Sequence, residues 1–249
     1  MLRKIVLIVI TLAAVAYYKK EALYKRQHTQ LLKQLKTELK NSPNKTQAVV
    51  FAVDLHDVLV KPHVPEIISL IWAQPAESFL VLFDPRFWYD VIAHGHIQEK
   101  LINHIDKNYK DKGISKQFLI ETINTQILHT PVIEFFTKLK QEGYKIYLAS
   151  NIWPELYDDL LKKLPELQNL FDGHYIPSQN NNYAEKPSPA YFFGLKKYID
   201  QQEQSPKQII FIDDTNQNIW QATKAGLISF IFTDAHTLKR ELNRLGLLN

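Results

Sequence analysis

Apolar positions along the chain follow two different periods. Residues 48–53, 145–149, 208–212 and 229–232 are short, almost continuous apolar runs, as expected of strands buried on both faces. Polar or glycine-containing segments bound each of them. Between them, at 132–141, 187–199 and 217–225, apolar residues recur every three or four positions, which predicts helices. Strands alternating with helices predict an α/β domain: a Rossmann-like parallel sheet with helices on both faces. The alternation breaks once, after the first strand. Residues 61–130 place Ile67, Leu70 and Ile71, then Phe87, Trp88, Val91 and Ile92, at helical spacing. This predicts a helical insertion over the carboxyl end of the first strand, with Trp72, Phe87, Trp88 and Tyr89 in its interior.

The chain begins differently. From Ile5 to Tyr18 run 14 residues with one aliphatic hydroxyl, Thr11, and no charge. A spanning helix needs about 20 apolar residues, and Lys4, Lys19 and Lys20 could snorkel to extend this one. Residues 1–18 are therefore expected to form a single-pass N-terminal membrane anchor. The alternative is a signal segment, with Ala14-Val15-Ala16 as the cleavage site and the domain exported; a third reading is a buried helix. Basic residues flank the run on both sides, so the side of the membrane stays open. Residues 19–46 read as a basic helical stalk. Leu23, Leu31, Leu35 and Leu39 fall on one face, suited either to self-association or to packing on the domain. Breakers at 41–44 end it, and the domain is expected over 47–249.

Charge divides the chain at the same place. Residues 1–45 hold 10 Lys/Arg and 2 Asp/Glu, and the remainder carries a net −4. A basic run beside an apolar helix suits an anionic membrane surface. A nucleic-acid footprint would put the basic residues on the folded domain, so nucleic acid is not an expected partner. There is no cysteine, which excludes disulfides, zinc-thiolate sites and a cysteine nucleophile.

The chemistry lies directly after the strands. Asp54 follows the first run, Ser150 the second, and Asp213 and Asp214 the third. One strand-end carboxylate is commonly a cap or turn residue. Three of them could converge on one Mg²⁺, which takes oxygen ligands and keeps waters that a substrate phosphate replaces. Lys186, before Pro187 and Pro189 at a predicted helix start, would balance the excess negative charge, and an anion there would also feel the helix terminus.

In this order the four segments, VDLHD, LASN, AEKPSP and FIDDTNQNIWQA, resemble the four motifs of haloacid-dehalogenase-superfamily (HAD) hydrolases. The resemblance covers about 200 residues. Its most specific part is the Asp213-Asp214 pair followed by Asn218, Ala222 and Gly226, and the insertion resembles the small helical cap of many members. The resemblance implies a phosphatase acting on a small phosphorylated substrate through an aspartyl-phosphate. Asp54 would be the nucleophile, and Mg²⁺ would bridge Asp54 and Asp213, with the His56 carbonyl and Asp214 completing the metal site. Ser150, with Asn151 beside it, would contact the phosphoryl group, and Lys186 would neutralise charge. Asn218 is expected to organise its loop.

One residue departs from the family pattern. Phosphatases of this family usually carry Asp two residues after the nucleophile; here it is His56, with Asp57 where Gly is common. Imidazole can serve as acid and base but cannot reproduce carboxylate geometry. Three readings follow: a working hydrolase using His56, a weak one, or a degenerate domain acting as a membrane-linked binding protein. A metal-free dehalogenase is disfavoured, because two carboxylates beside Asp54 would repel it without a cation. His94, His96 and His104 do not share a helix face and are not an expected zinc site.

Overall fold

The computed structural model describes residues 2–42, 44–73, 107, 121, 125–203 and 207–248. In chain order the strands are β1 (Val49–Val53), β2 (Val60–Pro62), β3 (Gln126–Leu128), β4 (Lys145–Ala149), β5 (Gly173–Tyr175), β6 (Gln208–Asp213) and β7 (Ile228–Ile231). The helices are α1 (Leu2–Asn41), α2 (Lys45–Ala48), α3 (Val64–Ala73), α4 (Thr130–Gln141), α5 (Pro154–Lys163), α6 (Pro189–Gln202), α7 (Asn216–Lys224) and α8 (Ala235–Arg244).

Five strands form a parallel sheet in the order β5-β4-β1-β6-β7. The expected α/β architecture is present. Every residue of β1 is buried, because alternate side chains enter different cores. Phe51 and Val53 pack with Phe136 and Leu139 of α4, Leu156 and Leu160 of α5, and Leu238 and Leu242 of α8. Val50 and Ala52 face Tyr191, Phe192 and Leu195 of α6 and Ile219 and Ala222 of α7. Period-two alternation with both faces covered explains why the strand reads as a continuous apolar run. At the end of α7, Gly226 takes φ +88, and the N–H groups of Gly226 and Leu227 return to Thr223 and Ala222. The left-handed residue turns the chain directly into β7.

The parallel order has a functional consequence. From β1 the chain moves outward through β4 and β5, then crosses back to β6 on the other side of β1. The loops after β1, β4 and β6 diverge from one switch point, where α/β sheets form their ligand crevice.

The leucine-striped segment belongs to this domain. Leu35 is fully buried in the α4 core, with Leu31, Leu32 and Leu39 packed against it. Higher up the helix, the Gln27 amide donates to the Thr223 carbonyl (2.8 Å), the His28 ring meets Phe230 edge-on, and the Lys20 ammonium sits 4.0 Å from the Trp220 ring centre. Near its C-terminal end, Gln208 donates to Glu38 (2.8 Å). Thus α1 lies along the β7 edge of the sheet and covers a strand that would otherwise be open for pairing. Of the two uses foreseen for the leucine face, packing on the domain is the one observed for Leu31, Leu35 and Leu39, while Leu23 is exposed.

No helix among the described residues is long and apolar enough to cross a membrane. The anchor expected at residues 1–18 therefore has no support here. Its uncharged run stops at 14 residues, and the helix containing it continues as a polar element lying on the sheet edge.

The insertion leaves through an antiparallel ribbon in which Val60 pairs with Leu128 and Pro62 with Gln126. Along α3, Val64, Ile68 and Trp72 recur every fourth residue on an exposed side, Trp72 at 77%. Trp72 was expected in the cap interior and is not there, because it shares this outward side. Phe87, Trp88, Tyr89, Val91, Ile92, His94, His96 and His104 lie outside the described residues.

Leu35→Ala should lower stability by about 2–4 kcal/mol, the range for truncating a fully buried leucine. Urea unfolding measures it; a change below about 0.5 kcal/mol would mean that α1 is not part of the cooperative unit.

Candidate active site

The ladder of β1 continues one residue past the strand: the Asp54 N–H donates to Ile212 of β6 (2.9 Å). This fixes the Asp54 backbone against β6, whose last residue is Asp213. Both carboxylates are buried, and a single ammonium joins them. Lys186 Nζ lies 2.8 Å from Asp54 Oδ1 and 2.7 Å from Asp213 Oδ2. Asp54 Oδ1 also accepts the Leu55 N–H (2.7 Å). Asp213 is held further by Asn218 Nδ2, 2.9 and 3.0 Å from its two oxygens, and by the Thr215 N–H (2.8 Å). Asn218 therefore organises its loop, as expected. Asp214 is exposed and accepts the Thr215 hydroxyl at 3.3 Å.

One oxygen from each of Asp54, Asp213 and Asp214 lies within 4.8 Å of the others. Three carboxylates against one ammonium leave two negative charges uncompensated. The electrostatics carry that signature. Burial, and then Asp54, hold Asp213 above the usual carboxylate range although Lys186 opposes them. Burial, then Asp213 and Asp57, do the same for Asp214. Burial works against the charge on Lys186, but Asp213 and Asp54 outweigh it and keep the amine above its ordinary value. A divalent cation would remove the imbalance. An all-oxygen donor set with neither sulfur nor imidazole suits a hard ion of the magnesium and calcium class.

Lys186 is placed by its main chain. Asn151, directly after Ser150, accepts the Lys186 N–H (2.8 Å) and donates to the Lys186 carbonyl (2.9 Å). Trp153, two residues after Asn151, and Tyr183, three before Lys186, stack with ring centres 6.0 Å apart. The loops after β4 and before α6 are thus buckled together, and α6 starts just beyond at the Ser188 cap. Asn151 was expected to meet the substrate; here its amide is engaged at both ends by Lys186. Ser150 is buried at the end of β4, and its hydroxyl oxygen accepts the Ile152 N–H (3.3 Å).

His56 lies on the turn that leaves β1. Leu59 and Val60 both donate to the Leu55 carbonyl (2.9 and 3.0 Å), closing the turn, and Asp57 within it takes φ +58. The left-handed region is costly for a residue with a Cβ, which accounts for the glycine common at this position. Burial first, and the charge on Lys186 next, push the His56 imidazole down to about 4, with Asp57 opposing. Tyr191 was not foreseen. It lies fully buried beneath the site, its hydroxyl donating to the Tyr175 carbonyl (2.8 Å). In the sequence it is one apolar position of a predicted helix.

Comparison with known proteins identifies the family. The profile of the family described as Haloacid dehalogenase-like hydrolase matches residues 91–232, more than half of the chain, and the chain belongs to that family of hydrolases. The matched stretch includes Ser150, Lys186 and Asp213, and begins after Asp54. Among curated proteins, the bifunctional epoxide hydrolase 2 of Rattus norvegicus is 23% identical over 141 residues, 53% of this chain and 24% of the relative. The chain thus spans about a quarter of that relative's length. Among solved structures, a HAD-family enzyme of Bacteroides thetaiotaomicron, in complex with magnesium and inorganic phosphate, superposes with a TM-score of 0.53 at 16% identity, covering 75% of this chain and 94% of that one. The L-2-haloacid dehalogenase RSc1362 superposes with a TM-score of 0.57 at 13% identity, covering 80% and 100%. These likenesses concern the fold.

Asn151→Ala should release the Lys186 main chain. Misplacing a charge-neutralising group by about 1 Å costs roughly 10²-fold in rate, so kcat should fall ten- to a hundredfold with KM little changed. Steady-state kinetics separate the roles: a raised KM with kcat intact would make Asn151 a substrate contact instead.

Proposed function

We propose that the chain is a Mg²⁺-dependent phosphatase of small phosphorylated molecules, working through an aspartyl-phosphate on Asp54. The observation that carries this reading is the trio of carboxylates, two of them bridged by Lys186, whose residual charge of two matches one divalent cation. The magnesium in the Bacteroides relative is in keeping with it. Asp54 and Asp213, with Asp214 directly or through water and the His56 carbonyl, would hold the ion, which when bound supplies Lewis-acid polarisation of a phosphoryl oxygen.

The chain's own groups account for the rest. An Asp54 oxygen attacks phosphorus in line with the departing oxygen, forming an acyl phosphate as the ester bond breaks. Lys186 holds that carboxylate in place and offsets charge on the transferring group. The Ser150 hydroxyl donates to a phosphoryl oxygen. Water then cleaves the acyl phosphate, returning Asp54 and releasing phosphate. His56, two residues past the nucleophile, would be the acid and base of this reaction; with its imidazole held down to about 4 it is neutral near pH 7, a form suited to take a proton from that water more than to give one to the leaving alkoxide. Positioning and electrostatic stabilisation supply most of the acceleration in such reactions.

Dehalogenation also uses an aspartate nucleophile, and one fold relative is a dehalogenase. The closeness of Asp213 and Asp214 to Asp54 weighs against it, since metal-free attack would proceed beside two uncompensated carboxylates. His56 in place of a carboxylate favours a second reading, a binding domain with little turnover.

Hydrolysis of an aryl phosphate by the full chain tests these readings. Turnover should require Mg²⁺ and fall by at least about 10³-fold in Asp54→Asn. His56→Asp should preserve or raise it. Turnover that survives both chelation and Asp54→Asn would refute the proposal; none in the wild type together with gain in His56→Asp would favour the binding domain.

A further inference from the structure

Away from the crevice, the outer face of α1 carries a regular line of charge. Lys19, Arg26, Lys33 and Lys40 follow one another at intervals of seven residues. In an α-helix that spacing returns to nearly the same direction, drifting about 20° per step. All four residues are exposed. The residues turned toward the domain, Tyr24, His28, Leu31 and Leu35, are placed about half a turn away around the helix at roughly 100° per residue. The cations thus point opposite the docked face, in a line about 30 Å long at 1.5 Å per residue. Lys36, also exposed, lies beside it.

No acid interrupts this line. The two carboxylates of α1 lie elsewhere on the helix, Glu21 paired with Lys25 at 2.7 Å and Glu38 accepting the Gln208 amide. Among the described residues none of the four cations has a carboxylate partner. The rest of the chain is net acidic, so the stripe is not part of a generally basic surface. The same helix continues toward its N-terminus into the uncharged run of residues 5–18.

We propose that this face of α1 docks the domain side-on against a bilayer rich in anionic lipid headgroups. A straight row of cations on a helix fits a flat anionic surface, and the adjoining apolar run extends that fit as it would not for a nucleic acid. The docking uses none of the active-site groups and does not depend on the proposed reaction.

The test is flotation of the full chain with phosphatidylcholine vesicles made with and without phosphatidylserine. Each basic residue near an anionic surface contributes roughly fivefold to binding. The double variant Arg26→Glu, Lys33→Glu should therefore weaken binding to the serine-lipid vesicles by at least about 20-fold, with an unchanged urea midpoint as the check on folding. Wild-type binding to those vesicles should also decline between about 0.1 and 1 M salt, as the screening length shrinks from about 10 to 3 Å. Equal binding to both vesicle types, or binding that charge reversal leaves unaltered, overturns the proposal. So does tighter retention on duplex DNA than on the anionic vesicles.

Discussion

One buried ammonium organises the carboxyl end of the sheet. Lys186 lies between Asp54 and Asp213, within 2.8 Å of both, and each of the three charges would be costly to bury alone. Removing the amine would leave two carboxylates facing each other in a site with little access to water. The surrounding residues make sense as devices that hold this arrangement. Asn151 fixes the Lys186 main chain, Asn218 and Thr215 hold Asp213, and the β1–β6 ladder aligns the strand ends. A pair alone would be neutral. With Lys186 satisfying two carboxylates and Asp214 close by, the site keeps an unbalanced charge, and that imbalance separates a metal-binding site from a structural ion pair.

The sheet explains why residues from four distant segments meet. Because β1 lies between β4 and β6, its terminal aspartate is flanked by the loops that follow both neighbours. Burial of β1 on both faces leaves its register with β4 and β6 little freedom, so the distance between Asp54 and Asp213 is set by the ladder more than by side-chain packing. At the far side of the sheet, α1 covers the β7 edge, and its buried Leu35 ties the N-terminal helix to the same core as the central strand.

The parallel sheet and the strand-end residues were legible in the sequence for one physical reason. A strand buried on both faces must be apolar, so the polar residue ending it stands out; Asp54, Ser150 and Asp213 were visible in that way. Lys186 follows no strand; its place before Pro187 and Pro189 at a predicted helix start, and the charge it would balance, marked it out, and the motif order then added weight to it. Other features depend on information that the linear pattern lacks. The leucine stripe of α1 has the same spacing whether it meets another helix or its own domain, and only the neighbouring surface decides. The uncharged run of residues 5–18 looked like an anchor by composition, yet its length falls short of a span. The role of Asn151 was hidden because a small polar residue after a strand can face substrate, turn or neighbouring loop, and the partner that selects among these lies 35 residues away. Tyr191 carried no signal beyond its helical position.

The proposed chemistry depends on which group accepts the phosphoryl. Rapid acid quench of the full chain during turnover of an aryl phosphate, followed by digestion and mass spectrometry, would locate it. One phosphoryl group is expected on the peptide containing Asp54, formed with Mg²⁺ and absent after chelation. A phosphoryl group on His56 or Ser150, or steady turnover that still proceeds in Asp54→Asn, would contradict it.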